Sequence, residues 1–151
     1  MDNSKKVIGI GEILWDILPA GKQLGGAPTN FAYHAQQLGL RSAIISSVGN
    51  DELGHEIIQN IKDAGIINFI DIKEKSTGTV SVQLDKNGVP NYIIHEDVAW
   101  DFITPSEPAL EFAGKADAVC FGSLAQRAET SFHSIQKILE TVPDTALKVF
   151  D

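Results

Sequence analysis

From Gln23 to Gly39 the chain reads QLGGAPTNFAYHAQQLG, with two adjacent glycines just ahead of a run that carries Pro28 near its start. A glycine pair lets the backbone take positive φ and leaves no side chain to hold off a ligand, so Gly25-Gly26 serves either as a turn or as the floor of a site. Past the pair, Phe31, Ala32, Ala35 and Leu38 fall at helical spacing and Gly39 stops the run. Ahead of it, KVIGIGEILWDIL (Lys6 to Leu18) reads as one β-rich run whose apolar start suits a central parallel strand. The order is strand, site-like loop, helix.

The same unit recurs. SAIISSVG (Ser42 to Gly49) reads as a second buried strand. NDELGHEIIQNIKDAG (Asn50 to Gly65) reads as a helix with Asn50 as N-cap, Asp51 and Glu52 in its first turn, Leu53, Ile57, Ile58 and Ile61 inward, and Gly65 as stop. TGTVSVQLD (Thr77 to Asp85) and VPNYIIHED (Val89 to Asp97) then alternate around Lys86-Asn87-Gly88, a hairpin signal. Thr104-Pro105 predicts the start of a short helix with Pro105 at its first position. ADAVCFGS (Ala116 to Ser123) predicts a strand, and TSFHSIQKILETV (Thr130 to Val142) a helix with Phe132, Ile135, Ile138, Leu139 and Val142 on one face. ALKVFD (Ala146 to Asp151) is a last strand. Alternation of this kind predicts an α/β, doubly wound, mostly parallel sheet with helices on both faces, and ligands at the carboxyl ends of its strands. A final strand with no helix to cover it suggests the N-terminal part of something longer. No repeat beyond the β/α alternation and no linker composition divides residues 1–151.

Composition narrows the partners. With 151 residues, one domain of ordinary size would bury about 70% of the surface its unfolded chain exposes. Twelve Lys and Arg against 20 Asp and Glu give a net charge of −8, with no basic run of more than two residues, so no footprint for nucleic acid or an anionic membrane is expected. No apolar run approaches a membrane span, and the polar start MDNSKK lacks a secretory apolar region; a cytoplasmic protein is expected. Cys120, alone in AVCFG, reads as a buried thiol, and His34, His55, His95 and His133 lack metal-ligand spacing, so no metal site is expected within the chain.

Motifs for nucleotide chemistry are thin. In GIGE (Gly9 to Glu12) the third glycine of a dinucleotide fingerprint would fall at Leu14, where no helix opens, and neither GxxxxGK[ST] nor GxSxG occurs. Asp16 stands out because a charge inside ILWDIL is costly unless it faces a polar cleft or solvent. Asn30, one helical step past Gly26, has an amide that can donate and accept toward the same cleft, or can simply be exposed.

Taken together, GE.LWD (Gly11 to Asp16), GGAPTNFA (Gly25 to Ala32) and VGNDELG (Val48 to Gly54) resemble, in order and spacing, the ribokinase-like sugar kinases of the phosphofructokinase B type, with GGAPTN most similar to the fructokinases. The resemblance covers essentially the whole chain, as the N-terminal, sugar-binding half of one domain. It implies a small β-sheet lid formed mainly by about residues 12–24 and 77–100. It implies ATP-dependent, Mg2+-assisted phosphorylation of a sugar, D-fructose to fructose 6-phosphate, with ribose, 2-keto-3-deoxygluconate or a nucleoside as alternative acceptors. Asp16, Gly25, Gly26 and Asn30 would bind the sugar, with Trp100 and Arg127 as further contacts. KVFD resembles the start of a fructokinase segment that continues with Asn and Arg. The family's catalytic aspartate lies in a GAGD-type motif near its C-terminus, with the ATP and magnesium contacts. No such motif occurs here, so no catalytic or cofactor-binding residue is expected in this chain, and the chain alone is expected to be inactive. Lids in the family often join dimers, and Val80, Val82 and Leu84, alternating along the hairpin, would suit such a contact or equally the apolar face with which a lid covers a site. A non-catalytic α/β sugar-binding module is the reading from another class.

Overall fold

The structure, a computed structural model, describes residues 4–151. Its frame is a five-stranded parallel sheet: β1 (Lys6–Ile10), β4 (Arg41–Gly49), β5 (Ile67–Lys73), β8 (Ala118–Phe121) and β9 (Leu147–Phe150), in the order β5-β4-β1-β8-β9. A second, four-stranded sheet holds β2 (Leu14–Leu18), β3 (Gly21–Gly25), β6 (Gly78–Leu84) and β7 (Pro90–Ile94) in the order β3-β2-β6-β7. The helices are α1 (Ala27–Gln37), α2 (Glu52–Asp63), α3 (Glu107–Ala113) and α4 (Glu129–Thr141), with short 3₁₀ turns at Ala99–Phe102 and Leu124–Arg127.

Alternation along the central strands shows how both faces are covered. Ile8, Ile10, Ala43 and Ile45 point to one side and pack with Ala109 and Ala113 of α3 and Ile135 and Ile138 of α4. Ile44 and Val48 point to the other, against Ala32 of α1 and Ile57 and Ile61 of α2, while Val7 and Ala118 meet Ala35. Strands covered on both faces read as continuous apolar runs, as β1 and β4 do. The α/β class, with a parallel sheet flanked by helices and a small second sheet, stands as the sequence predicts.

Several local expectations are corrected. Lys6 to Leu18 is two strands in two sheets. The chain leaves β1 at Gly11 (φ 144°), held there by Ser46 Oγ donating to Gly11 O at 2.6 Å, and re-enters β structure at Leu14. β5 has no counterpart among the strands that the sequence predicts. Asp51, not Asn50, caps α2, its Oδ1 accepting the Gly54 N–H at 2.8 Å. Pro105 does not open α3, which is capped by Ser106 and carries Pro108 in its first turn. Phe132 of α4 is exposed, whereas Ile135 and Ile138 are buried. The predicted hairpin forms as β6 and β7, with Gly88 (φ 78°) in the turn and Asp85 Oδ1 accepting the N–H groups of Asn87 and Val89.

Candidate functional site

The site is built where β2, β3 and α1 meet the carboxyl end of β1. β2 lies between β3 and β6, so Asp16 sits inside the small sheet, opposite Gln23 on one side and Val80 on the other, rather than on an edge. Its carboxylate leans over the end of β3: a Cβ on Gly25 would collide with Asp16 Oδ2. Burial raises the Asp16 carboxyl above its ordinary value, and none of the ion pairs among the described residues uses it. A half-buried, unpaired carboxylate in this position is an acceptor for hydroxyl groups.

Gly26 is the N-cap of α1 at φ 108°, and a Cβ there would collide with the main-chain oxygen of Glu12. Both glycines are therefore required, Gly25 by the close approach of a carboxylate and Gly26 by positive φ and backbone proximity. Thr29 Oγ1 donates to that same Glu12 oxygen at 3.2 Å, and the Ala27 N–H donates to Glu12 Oε1 at 3.3 Å. Glu12 is thus part of the site's frame, a role that no local feature of GIGE announced. The glycines of GIGE serve packing, since a Cβ at Gly9 would collide with Pro28 O in the first turn of α1.

Asn30 follows one turn later, its N–H donating to Gly26 O at 2.9 Å. Its side chain is exposed and lines a cavity of about 610 Å³ shared with Trp15, Lys22, Tyr33, Glu56 and Asn60, between α1, α2 and the β2–β3 hairpin. Asp16, Gly25 and Gly26 do not line that cavity. The structure therefore gathers Asp16, Gly25 and Gly26 at one point and sets Asn30 beside it.

Trp100 and Arg127 are engaged with each other. Trp100 is fully buried in the core shared with α3 and α4. The Arg127 guanidinium stacks 4.0 Å above its ring, grips Asp101 through Nε (2.8 Å) and Nη2 (2.9 Å), and donates from Nη2 to His95 O at 2.7 Å. This clamp ties the segment after β7 to the turn before α4.

VGNDELG makes a second tie. Asp51 accepts from the Thr77 hydroxyl (2.6 Å) and N–H (2.8 Å) as well as from Gly54, and Thr77 Oγ1 accepts the Gly49 N–H at 2.9 Å. Burial pushes the Asp51 carboxyl up, but the hydrogen bonds from Thr77 and Gly54 outweigh it and hold the group below its ordinary value. The end of β4, the start of α2 and the entry to β6 are locked together, fixing the small sheet to the large one. Among the described residues, no group of three or more His, Cys, Asp or Glu side chains could hold a metal ion, and no helix is long and apolar enough to cross a membrane.

Comparison with known proteins gives the family. Residues 20–142 match the pfkB family carbohydrate kinases, and the chain belongs to that family. It is 30% identical to the sugar kinase PH1459 of Pyrococcus horikoshii, covering 96% of this chain and 51% of that protein. It is also 29% identical to fructokinase-2 of Solanum habrochaites, over 99% of this chain and 50% of that one. The crystal structure of PH1459, described as an uncharacterized sugar kinase, superposes with a TM-score of 0.85 over 97% of this chain and 52% of that one; PH1459 has also been crystallised with ATP. The apo fructokinase of Vibrio cholerae O395, 26% identical, gives 0.77 over 97% and 53%. The chain spans about half the length of the relatives it matches.

Proposed function

We propose that the full-length protein transfers the terminal phosphoryl group of ATP, with Mg2+, to a hydroxyl of a sugar, D-fructose giving fructose 6-phosphate, and that this chain supplies the sugar-binding half of the site. The observation that carries the reading is the Asp16 carboxylate lying over a glycine pair that cannot bear side chains. A carboxylate accepts from vicinal hydroxyls, and bare backbone beside it lets a ring approach. Asn30 adds an amide at the rim. The fructokinases among the relatives favour fructose as acceptor.

The small sheet acts as a lid in this reading. Phosphoryl transfer relies on positioning and charge stabilisation, with water as a competing acceptor, so a cover over the sugar is worth having. Trp100 and Arg127 contribute at one remove, by fixing the segment that leaves the lid. The outer strand β7, with Tyr92, Ile93 and Ile94 exposed, is the surface through which two lids would pair. A cytoplasmic setting, where ATP and free sugar meet, completes the proposal.

The test is a coupled ADP-release assay of the full-length protein and of residues 1–151, each against fructose, ribose, 2-keto-3-deoxygluconate and a nucleoside. Turnover of fructose by the full-length protein and none by residues 1–151 is expected. Preference for another acceptor keeps the kinase and changes the substrate. Sugar binding without turnover by the full-length protein would leave a binding module instead.

A further inference from the structure

Glu12 lies in the connection between β1 and β2, only 3% exposed, in a position where an unsolvated carboxyl is costly. Its hydrogen bonds to other residues converge on the glycine turn. Its main-chain oxygen accepts from Thr29 Oγ1 and occupies the space a side chain on Gly26 would need. Its Oε1 accepts the N–H of Ala27, the first residue of α1, at 3.3 Å. Helix α1 has no side-chain cap of its own, because its N-cap is Gly26. Glu12 takes over that task from 15 residues upstream. Its second oxygen, Oε2, is buried with no hydrogen-bond partner.

We propose that Glu12 is a positioning residue that presets the Gly25-Gly26 turn for sugar binding, clamping it by main chain and side chain together. This rests on the sugar-kinase reading of the same site. The physical need is plain. A glycine pair is the loosest dipeptide a chain can have, and ordering its backbone costs conformational entropy. If the turn were ordered only on binding, that cost would fall on the affinity for sugar; a clamp that orders it beforehand removes it. A carboxylate at the start of α1 is also favoured by the helix dipole.

The groups facing Glu12 set how it titrates. Burial raises its carboxyl above the ordinary value and the Asp151 carboxylate adds to that, whereas hydrogen bonds at Glu12 and Ala27 and the charge of Arg127 oppose it. The Cys120 thiol, across from it, feels the Glu12 charge in turn. Glutamine in its place keeps the Oε1 acceptor and the shape while removing the buried charge. Aspartate keeps the charge and main-chain contact but, one methylene shorter, withdraws the carboxylate from Ala27.

The experiment compares wild type with Glu12→Gln, Glu12→Asp and Glu12→Leu in the full-length protein, measuring KM for sugar, KM for ATP and kcat, with hydrogen–deuterium exchange of residues 25–30. For Glu12→Gln the sugar KM is expected to stay within about 3-fold, because the acceptor that holds Ala27 remains. For Glu12→Asp and Glu12→Leu the sugar KM is expected to rise about 10-fold or more with the ATP KM unchanged, and exchange at Ala27 to Asn30 to accelerate by a similar factor, the equivalent of one lost hydrogen bond to a charged group. Wild-type sugar KM in folded Glu12→Asp or Glu12→Leu overturns the proposal. So does a parallel fall in all kinetic parameters with exchange unchanged, which marks a merely structural residue. Should Glu12→Leu fail to fold, Glu12→Asp decides by the same measures. A wild type that phosphorylates no sugar overturns the sugar-kinase reading instead, and the exchange arm then decides the clamp by itself, since it needs no substrate.

Discussion

Asp51 and Thr77 are joined twice, the carboxylate of one accepting both the hydroxyl and the backbone N–H of the other at 2.6 and 2.8 Å, across 26 residues of chain. The same carboxylate caps α2, and Thr77 Oγ1 in turn accepts the Gly49 N–H, so the pair holds a helix, the end of β4 and the entry to β6. Asp51→Ala removes a cap and two hydrogen bonds to a charged acceptor, and is expected to cost about 2–4 kcal/mol in urea unfolding. Thr77→Val, which keeps the N–H and the shape, is expected to cost about half as much. Equal, negligible costs would show that the tie carries no stability.

The same group predicts an acid limb. Because the folded state holds the Asp51 carboxyl below its unfolded value near 3.8, its contribution is fully present above that pH and is lost as pH falls through the lower folded value. Stability profiles of wild type and Asp51→Asn should therefore converge below pH 3.8. Parallel profiles down to the acid transition would contradict the assignment.

Arg127 is expected to behave as a structural clamp. Asp101 is 5% exposed and its partner's side chain 23%, so Arg127→Ala strips a buried carboxylate of its counter-charge. We expect a loss of about 2–4 kcal/mol, the buried-pair cost discounted for the partial exposure of the arginine. The double variant Arg127→Met with Asp101→Leu should recover part of it. A stable Arg127→Ala whose sugar KM alone rises would mean that the guanidinium contacts ligand directly.

Gly25→Ala tests the close approach. The added methyl meets the Asp16 carboxylate, so the carboxylate must turn away or the strand must shift. On the proposed function, the sugar KM of the full-length protein is expected to rise at least about 10-fold, as for Asp16→Asn, with the ATP KM unchanged; that factor corresponds to one lost hydrogen bond to a charged group. If Gly25→Ala and wild type share one sugar KM, the Asp16 pose is not the binding pose.

Cys120 offers a probe of the fold. Burial, with the Asp151 and Glu12 charges adding to it, pushes its thiol up to about 11, leaving roughly one part in a thousand as thiolate at pH 8. Alkylation by iodoacetamide should be slower than in the urea-unfolded chain by about 100-fold or more. Equal rates would mean that β8 is not packed.

Much of the architecture is legible because central strands and two-sided burial leave continuous apolar runs, as in Val7 to Ile10 and Ala43 to Ile45. β5 escapes because it is an edge strand, its run INFIDIK broken by Asn68 and Asp71 and only half buried. The break between β1 and β2 escapes because it depends on α1 packing against Gly9 and on Ser46 reaching Gly11, contacts far apart in sequence. Asn50 and Asp51 are equally good caps locally, and Thr77 selects between them. In the site, Asp16, Gly25 and Gly26 could be named because a charge among apolar residues and a glycine pair are each anomalous in place. Glu12 and the partners of Arg127 have no local signature, since their meaning lies in the distant atoms they touch.

The position of β1 at the centre of the large sheet has a consequence for synthesis. Its neighbour β4 follows within a few dozen residues, but β8, on its other side, comes late: the Lys6 N–H is bonded to Asp117, 111 residues onward. At the usual pace of about 5–20 residues per second, one flank of the nascent sheet stays open for roughly 5–20 s. The ribosome-bound chain thus carries an apolar parallel strand with one open flank until β8 emerges, and chaperone occupancy should peak before Ala118 leaves the exit tunnel and fall once it has.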